Sequence, residues 1–538
     1  MTLDNAVPTG VGATQPKQPE AGLLAAFWDY ERALLTADVP SLERWFLAEP
    51  ATLRSEGGAT LVGADHIAQL RRERSGPGSR RIERLHMRTL AAETVLVVAE
   101  LIRPDGTVGA QTQVWLRTAE GWRVRAAHVG GSTPATPTIS EPDRVWRLAG
   151  PLPVEPGPGE PGPDPSGPLA GVRLAVKDLF ALRGQAIGGG SARWLAEAPV
   201  QTATAASVRT LLAAGATVAG LAHTDELAFS LAGVTASYGA VPNPVAPGRV
   251  TGGSSSGPAA AVAGHAADLG VGTDTAGSIR VPASYCGLYG LRPTHGAISA
   301  DGVLPLAPSF DTVGLLTRDP GLLATAADLL LPSSSGLPVD VLLRPSDLLE
   351  SLAPDVQLAF DSAALALAGR TSCRIEPAPA LAEGVEVWLP AFRAVQAAEG
   401  WQAHGEFVER ARRDLEPAVV ARFETGRDLP DSVVAQAREV LAAARARLAD
   451  LLTPGVALLL PASSSPALPL DLPDDQVDSA RAATLRLTCL ASLAGLPSVA
   501  LPTMRVGPLP MALCLVGAAG TDRSLLELIN RPPPWEAR

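Results

Sequence analysis

The sequence predicts an α/β protein in two parts, a small α+β unit followed by a large domain with a mixed β-sheet covered by helices. Three observations lead there. Residues 21–132 read as helices followed by a meander of strands. In residues 150–167, twelve of eighteen positions are proline or glycine, which denies that stretch a packed core. From residue 172 onward strand-like and helix-like stretches alternate, the pattern of crossover connections within a sheet.

In the first unit, residues 23–37 carry apolar side chains at helical spacing (Leu24, Phe27, Trp28, Leu34), and Val39-Pro40-Ser41-Leu42-Glu43 opens a second helix. Residues 66–74 form a third. Residues 83–87, 93–103, 109–118 and 121–128 alternate as strands, joined by turns at Pro104-Asp105-Gly106 and Ala119-Glu120-Gly121. Helices before a meander imply an α+β cone around a pocket. The domain boundaries follow: 21–132 for this unit, 133–168 for a Pro/Gly-rich linker, and 169–530 for the second domain.

The second domain opens with a strand at 172–176 that ends on Lys177. A helix at 205–214, a strand at 217–221 and a helix at 225–231 come next. Residues 258–267, rich in Ala and Gly, read as a closely packed buried helix, and 266–271 as a short strand. Long helices are predicted at 391–412 and 430–451, with strands returning at 458–460, 493–502 and 511–516.

Composition narrows the function. Of the residues, 46% are hydrophobic and 18% charged, which is globular, and the net charge of −11 argues against a nucleic-acid surface. The four cysteines lack C-x-x-C spacing and the seven histidines are dispersed, so neither a disulfide framework nor a metal site is indicated, and no cofactor motif is present. Residues 1–20 are polar, without an apolar run of signal-peptide length. Residues 487–504 are apolar but interrupted by Pro497 and Pro502, the pattern of a core segment rather than a membrane span. The expectation is a soluble cytoplasmic protein with neither a nucleic-acid nor a membrane partner.

Chemistry concentrates in residues 251–296. Two serine-bearing turns, Gly252-Gly253-Ser254-Ser255-Ser256-Gly257 and Asp274-Thr275-Ala276-Gly277-Ser278, are joined by small residues. Their glycines let backbone N–H groups approach a bound oxygen. Lysine usage supplies an independent pointer: 42 of 44 basic residues are arginine, and the two lysines are Lys17 and Lys177. Arginine cannot release its proton, whereas a buried lysine can. Lys177 follows Leu174-Ala175-Val176, where burial lowers its pKa, and moving a lysine from about 10.4 to about 7 takes about 5 kcal/mol of differential solvation. A buried lysine paired with a carboxylate is the structural alternative.

These residues resemble the amidase signature family, serine hydrolases that cleave amides with a Ser-cisSer-Lys triad. The resemblance runs from about residue 168 to 528, including Leu291-Arg292-Pro293-Thr294 and Ser309-Phe310-Asp311-Thr312-Val313-Gly314. It implies Ser278 as nucleophile, Ser254 as bridging serine, Lys177 as base, and a cis peptide bond within Gly253-Ser254-Ser255. It also implies an oxyanion hole from the backbone N–H groups of Thr275, Ala276, Gly277 and Ser278, with Asp274 and Arg280 bracing that turn. The first unit resembles the NTF2-like fold of helper proteins that accompany amidases of cyanuric-acid and urea-type breakdown. There Tyr30 and Arg54 match polar pocket residues, against the alternatives of Tyr30 capping the core and Arg54 pairing with Glu56 at the surface. Such folds commonly dimerise through the open sheet face, so a homodimer is expected.

The resemblance implies hydrolysis of a small-molecule amide through an acyl-enzyme, with release of ammonia. The sequence around Ser284–Thr294 looks most like amidases of arylacetamides such as indole-3-acetamide, whereas the first unit points to urea-type amides. Two rivals stand beside this reading. Gly253-Ser254-Ser255-Ser256-Gly257 satisfies the G-x-S-x-G elbow of α/β-hydrolases, yet the Pro-rich residues 242–248 before it are poor strand material. The other is a non-catalytic or amidotransferase-type subunit that positions a partner.

Overall fold

The computed structural model describes residues 21–35, 38–56, 59–73, 81–102, 107–134, 144–157, 160–333 and 336–532. The polar segment 1–20 and the turn Pro104-Asp105-Gly106 lie outside the described residues. The chain divides into two compact units, Met1–Thr136 and Pro137–Arg538.

In the first unit the helices Ala21–Leu35, Val39–Trp45 and Ala64–Glu73 accompany a sheet that is six-stranded among the described residues. The meander Arg81–Ala91, Thr94–Ile102, Thr107–Thr118 and Gly121–Pro134 is antiparallel throughout, and Thr94–Ile102 alternates half-buried and buried positions as a one-faced strand must. Two short strands add to the expected set. Leu53–Glu56 pairs in parallel with Gly121–Pro134, and Ala59–Val62 pairs with Leu53–Glu56 in antiparallel fashion. At four residues each they are too short for periodicity to register. The core under the sheet gathers Leu23, Phe27, Tyr30, Val97, Leu101 and Trp115.

The second unit is built on a mixed sheet, eleven-stranded among the described residues. Across the sheet the strands run Arg374–Pro377, Val341–Arg344, Val456–Pro461, Leu509–Gly517, Ser498–Val506, Tyr289–Arg292, Thr312–Thr317, Leu269–Asp274, Arg173–Lys177, Thr217–Ala222 and Trp146–Leu152. The last of these corrects the sequence reading. Residues 146–152, assigned to the linker, are the edge strand of this sheet, antiparallel to Thr217–Ala222. Arg147 on that strand forms a buried ion pair with Asp178, its Nη2 donating to Oδ1 at 2.9 Å. Proline is tolerated where one side of a strand has no partner, and the one proline of this strand, Pro151, falls at its exposed end.

Two further expectations shift. The helix read at 225–231 is a single 3-10 turn, Glu226–Ala228, in which Leu227 and Ala228 take the left-handed conformation with φ of 46° and 62°. The small-residue helix is Ser256–Ala263 and the strand after it is Leu269–Asp274, both buried along their whole length. A Cβ on Gly257 would strike the backbone of His223, so glycine lets this helix lie directly on the neighbouring chain. The long helices Ala382–Ala411 and Asp431–Leu451 occupy the predicted stretches, the first starting nine residues earlier than expected.

Candidate active site

Strand Arg173–Lys177 lies in the sheet between two parallel neighbours, Leu269–Asp274 and Thr217–Ala222. Burial on both sides leaves Lys177 at the strand's end with no exposed surface. Its Nζ donates to Ser254 Oγ at 2.8 Å, Ser255 Oγ at 3.0 Å and Thr273 Oγ1 at 2.8 Å. No carboxylate comes within ion-pair range of it among the described residues. Burial therefore brings Lys177 down to about 7, against the more distant pull of Asp225, Asp274 and Asp311. A neutral amine among three hydroxyls can donate to two of them and accept from the third, so the geometry suits a proton acceptor.

Ser254 is held by its backbone. The Gly253–Ser254 peptide bond is cis, the Gly253 N–H donates to Leu231 O at 2.9 Å, and Ser254 O accepts from Thr224 Oγ1 at 2.9 Å and the Asp225 N–H at 3.2 Å. A Cβ on Gly253 would collide with the Asp225 carboxylate, so the turn closes only with glycine there. Asp225 carries no sequence signal that marks it for this role. It accepts from Ser256 Oγ at 3.1 Å and the Gly233 N–H at 2.9 Å, and burial raises its pKa.

The second turn is clamped by charge. Both oxygens of Asp274 accept from Arg280 (Nε to Oδ2 3.0 Å, Nη2 to Oδ1 2.9 Å), and Oδ1 also accepts from Arg292 Nη1 at 3.0 Å. All three side chains are fully buried. Burial alone would raise Asp274, but the two guanidiniums hold it far below the usual carboxylate range. Arg280 Nη1 also donates to Thr488 O at 2.8 Å, while Thr488 Oγ1 donates to Ala276 O at 2.6 Å. Thr275 Oγ1 donates to Asp311 Oδ1 at 2.6 Å. Asp274 and Arg280 thus brace the turn, and Arg292, eighteen residues on from Asp274 and within the family-like Leu291-Arg292-Pro293-Thr294, joins them in a role its motif does not specify.

This network corrects one donor. The Gly277 N–H donates to Asp274 Oδ1 at 2.9 Å and is spent within the protein. The N–H groups of Thr275, Ala276 and Ser278 donate to no protein acceptor among the described residues. Ser278 is 2% exposed, and its carbonyl accepts from the Ser255 N–H at 3.3 Å, which joins the two turns. No hydrogen bond links Ser254 Oγ to Ser278 Oγ among the described residues. A cavity of about 490 Å³ opens beside Thr273, Thr275 and Asp311, with Leu179, Ala228 and Ile298 in its wall; Lys177, Ser254 and Ser278 do not line it.

The elbow rival fails on geometry. No strand leads into Ser255, whose hydroxyl is held between Lys177 and Thr273. Such an elbow also needs a histidine downstream, and of the candidates His295 Nε2 contacts Pro308 O, His404 Nε2 contacts Pro305 O, and His265 sits exposed in a left-handed turn.

Residues 160–526 match the family described as Amidase. The chain belongs to the amidase family. It is accordingly an enzyme that hydrolyses amides. Residues 16–133, spanning the first unit, match the family described as AtzH-like, in line with the helper-protein resemblance. Amidase 1 of Arabidopsis thaliana is 33% identical over 392 residues, 67% of this chain and 92% of that protein. Indoleacetamide hydrolase of Pseudomonas syringae pv. syringae is 46% identical over 153 residues, 28% of this chain and 34% of that protein. A solved structure described as a vestigial protein complex that reveals the evolutionary origins of an s-triazine catabolic enzyme is 30% identical, with a TM-score of 0.59, covering 69% of this chain and 84% of that one.

In the AtzH-like unit of this amidase, Tyr30 and Arg54 are brought together. Arg54 Nη1 donates to Tyr30 Oη at 3.4 Å, and both are buried, so Arg54 is not the surface residue of the alternative reading. Neither lines the groove of about 450 Å³ on this unit, which is formed by Asp29, Arg32, Asp38, Arg44, Trp45 and Arg123 among others.

Proposed function

We propose that this amidase cleaves small carboxamides with release of ammonia, through a Ser278–Ser254–Lys177 relay and an acyl-enzyme. Neutral Lys177 takes the proton of Ser254 Oγ as Ser254 takes that of Ser278 Oγ, and Ser278 Oγ bonds to the amide carbon. The oxygen that becomes negative is stabilised by the N–H groups of Thr275, Ala276 and Ser278, each worth about 3 kcal/mol in the transition state. Ser254 returns a proton to the nitrogen, the C–N bond breaks and ammonia leaves. Water then hydrolyses the ester by the same relay in reverse. The Ser254–Ser278 hydrogen bond must close once substrate is bound, and catalytic hydrogen bonds commonly tighten only then.

One observation carries the reading: a fully buried amine 2.8 Å from a serine hydroxyl, brought to about 7 with no carboxylate paired to it. An arylacetamide is favoured by the 46% identity to an indoleacetamide hydrolase, and a urea-type amide by the AtzH-like unit. Both remain within the proposal. Homodimerisation through the AtzH-like sheet is part of it too, tested by light scattering. A panel of primary amides assayed for ammonia with wild type and Ser278→Ala tests the chemistry. Turnover is expected for wild type and loss of about 10⁶-fold for the variant; a variant that keeps its rate removes Ser278 as nucleophile. Glutamine-dependent transfer of ammonia to a second acceptor, with no free ammonia, would favour the amidotransferase reading instead.

A further inference from the structure

Three arginines gather beside the Ser254 loop with no acid in ion-pair range. Arg393 lies on the helix Ala382–Ala411, Arg422 on Pro417–Arg427 and Arg481 on Asp474–Ala494; the first helix packs against each of the other two. Among the described residues no carboxylate comes within 4 Å of any of these guanidiniums, although most other arginines of the unit hold ion pairs. Asp478 draws on Arg422 and Arg481 only from beyond that range. Arg422 Nη1 donates to Phe229 O at 2.7 Å, in the loop whose Asp225 and Leu231 hold the Ser254 turn. Arg393 and Arg481 make no hydrogen bond among the described residues, and Arg481 Nε is shut off from solvent without any partner.

The cluster is close to the reacting centre. Arg481 precedes Thr488 by seven residues, about 10 Å along a helix axis, and Thr488 pins the carbonyl of Ala276 in the second turn. Arg393 acts electrostatically on Cys489, the next residue, and Arg422 is drawn by Asp225. Burial, with Arg422 and Arg393 as like-charged neighbours, brings Arg481 down to about 9. Arg422 and Arg481 are half-buried and Arg393 is exposed, so three like charges stand near one another with no acid in ion-pair range; an anion relieves their repulsion, and the planar fork of arginine matches a carboxylate in two-point contact.

We infer that Arg393, Arg422 and Arg481 form a specificity pocket for an anionic group, so that the amide cleaved here carries a carboxylate a few bonds from its scissile carbonyl. This rests on the hydrolase reading above and names its substrate class. The hydrogen-bonding surface it supplies is positive, while the cavity wall beside Thr273 and Thr275 is largely apolar, so the two ends of the site ask for different chemistry.

The test uses the full chain and a matched pair of amides, succinamate and butyramide, which share a four-carbon skeleton and differ in a terminal carboxylate. Ammonia release should favour succinamate in kcat/KM by about 30-fold or more, the worth of one charge-assisted contact. In Arg481→Met that ratio should fall about tenfold, with the change in KM rather than kcat. Equal turnover of the two amides by wild type, or a ratio unmoved in the variant, overturns the inference while leaving the hydrolase intact. If neither amide is cleaved, the hydrolase reading fails for this class, and calorimetric titration with succinamate still decides the pocket: binding lost in the variant supports it, and no binding to wild type overturns it. Should Arg481→Met fail to fold by circular dichroism, the exposed Arg393→Gln serves for the same two measurements.

Discussion

Two buried cationic centres stand side by side in this fold, and they are built on opposite terms. Arg280 and Arg292 share the carboxylate of Asp274, so each guanidinium has an anion in contact. Lys177 has hydroxyls for company and no carboxylate in ion-pair range. The difference separates structure from chemistry. A paired, permanently charged guanidinium holds a turn in place, whereas an unpaired ammonium in a dry site is driven to give up its proton and becomes a base.

The largest loss is expected when the lysine is made like its neighbours. Lys177→Arg keeps the positive charge but cannot deprotonate, so kcat for amide hydrolysis should fall about 10⁴-fold, with Lys177→Met falling as far. An arginine variant retaining a tenth of the rate would remove the base from the mechanism. Breaking the other centre should act on stability first. Asp274→Asn leaves Arg280 and Arg292 buried without their counter-charge, a loss of about 3–5 kcal/mol in urea unfolding.

A third buried pair sharpens the boundary between units. Because Arg147 answers Asp178 from the edge strand Trp146–Leu152, removing residues 1–167 should destabilise the amidase unit by about 3 kcal/mol or more, whereas removing residues 1–136 should not. Equal stability of the two truncations would return 146–152 to the status of a linker.

Titration gives the finest distinction. The folded pKa of Lys177, about 7, lies below its unfolded value of about 10.4, so between those pH values the unfolded chain binds more protons. Stability should therefore rise with pH across that window by up to about 1.4 kcal/mol per unit, and Lys177→Met should flatten the rise. Asp274 acts in the same direction at the acid end: its folded pKa is depressed, so stability rises with pH there too, and its contribution is complete above about pH 4 and is lost only as acid protonates it. Activity should climb about tenfold per pH unit below 7 as Lys177 loses its proton, measured by initial rates of ammonia release.

Legibility in the sequence followed the range of the forces involved. The helices and meander of the first unit can be read from spacing alone, as can the strand ending on Lys177, because apolar period and turn residues are local signals. The scarcity of lysine singles out Lys177 by composition. The single turn at Glu226–Ala228 escapes such a reading because left-handed Leu227 and Ala228 look helical in composition. The strand at 146–152 is hidden by the prolines and glycines around it, since what makes it a strand is a partner some seventy residues away.

By itself the chain determined its two-part layout, the two serine turns and the one core lysine, because each depends on residues adjacent in sequence. Only the tertiary structure decided that Arg292 would complete the Asp274 clamp, that the Gly277 N–H would be used internally, and that Arg393, Arg422 and Arg481 would meet. Electrostatic and hydrogen-bond partners act across a few ångströms of space, and no spacing along the backbone records which distant segments packing will bring within that reach.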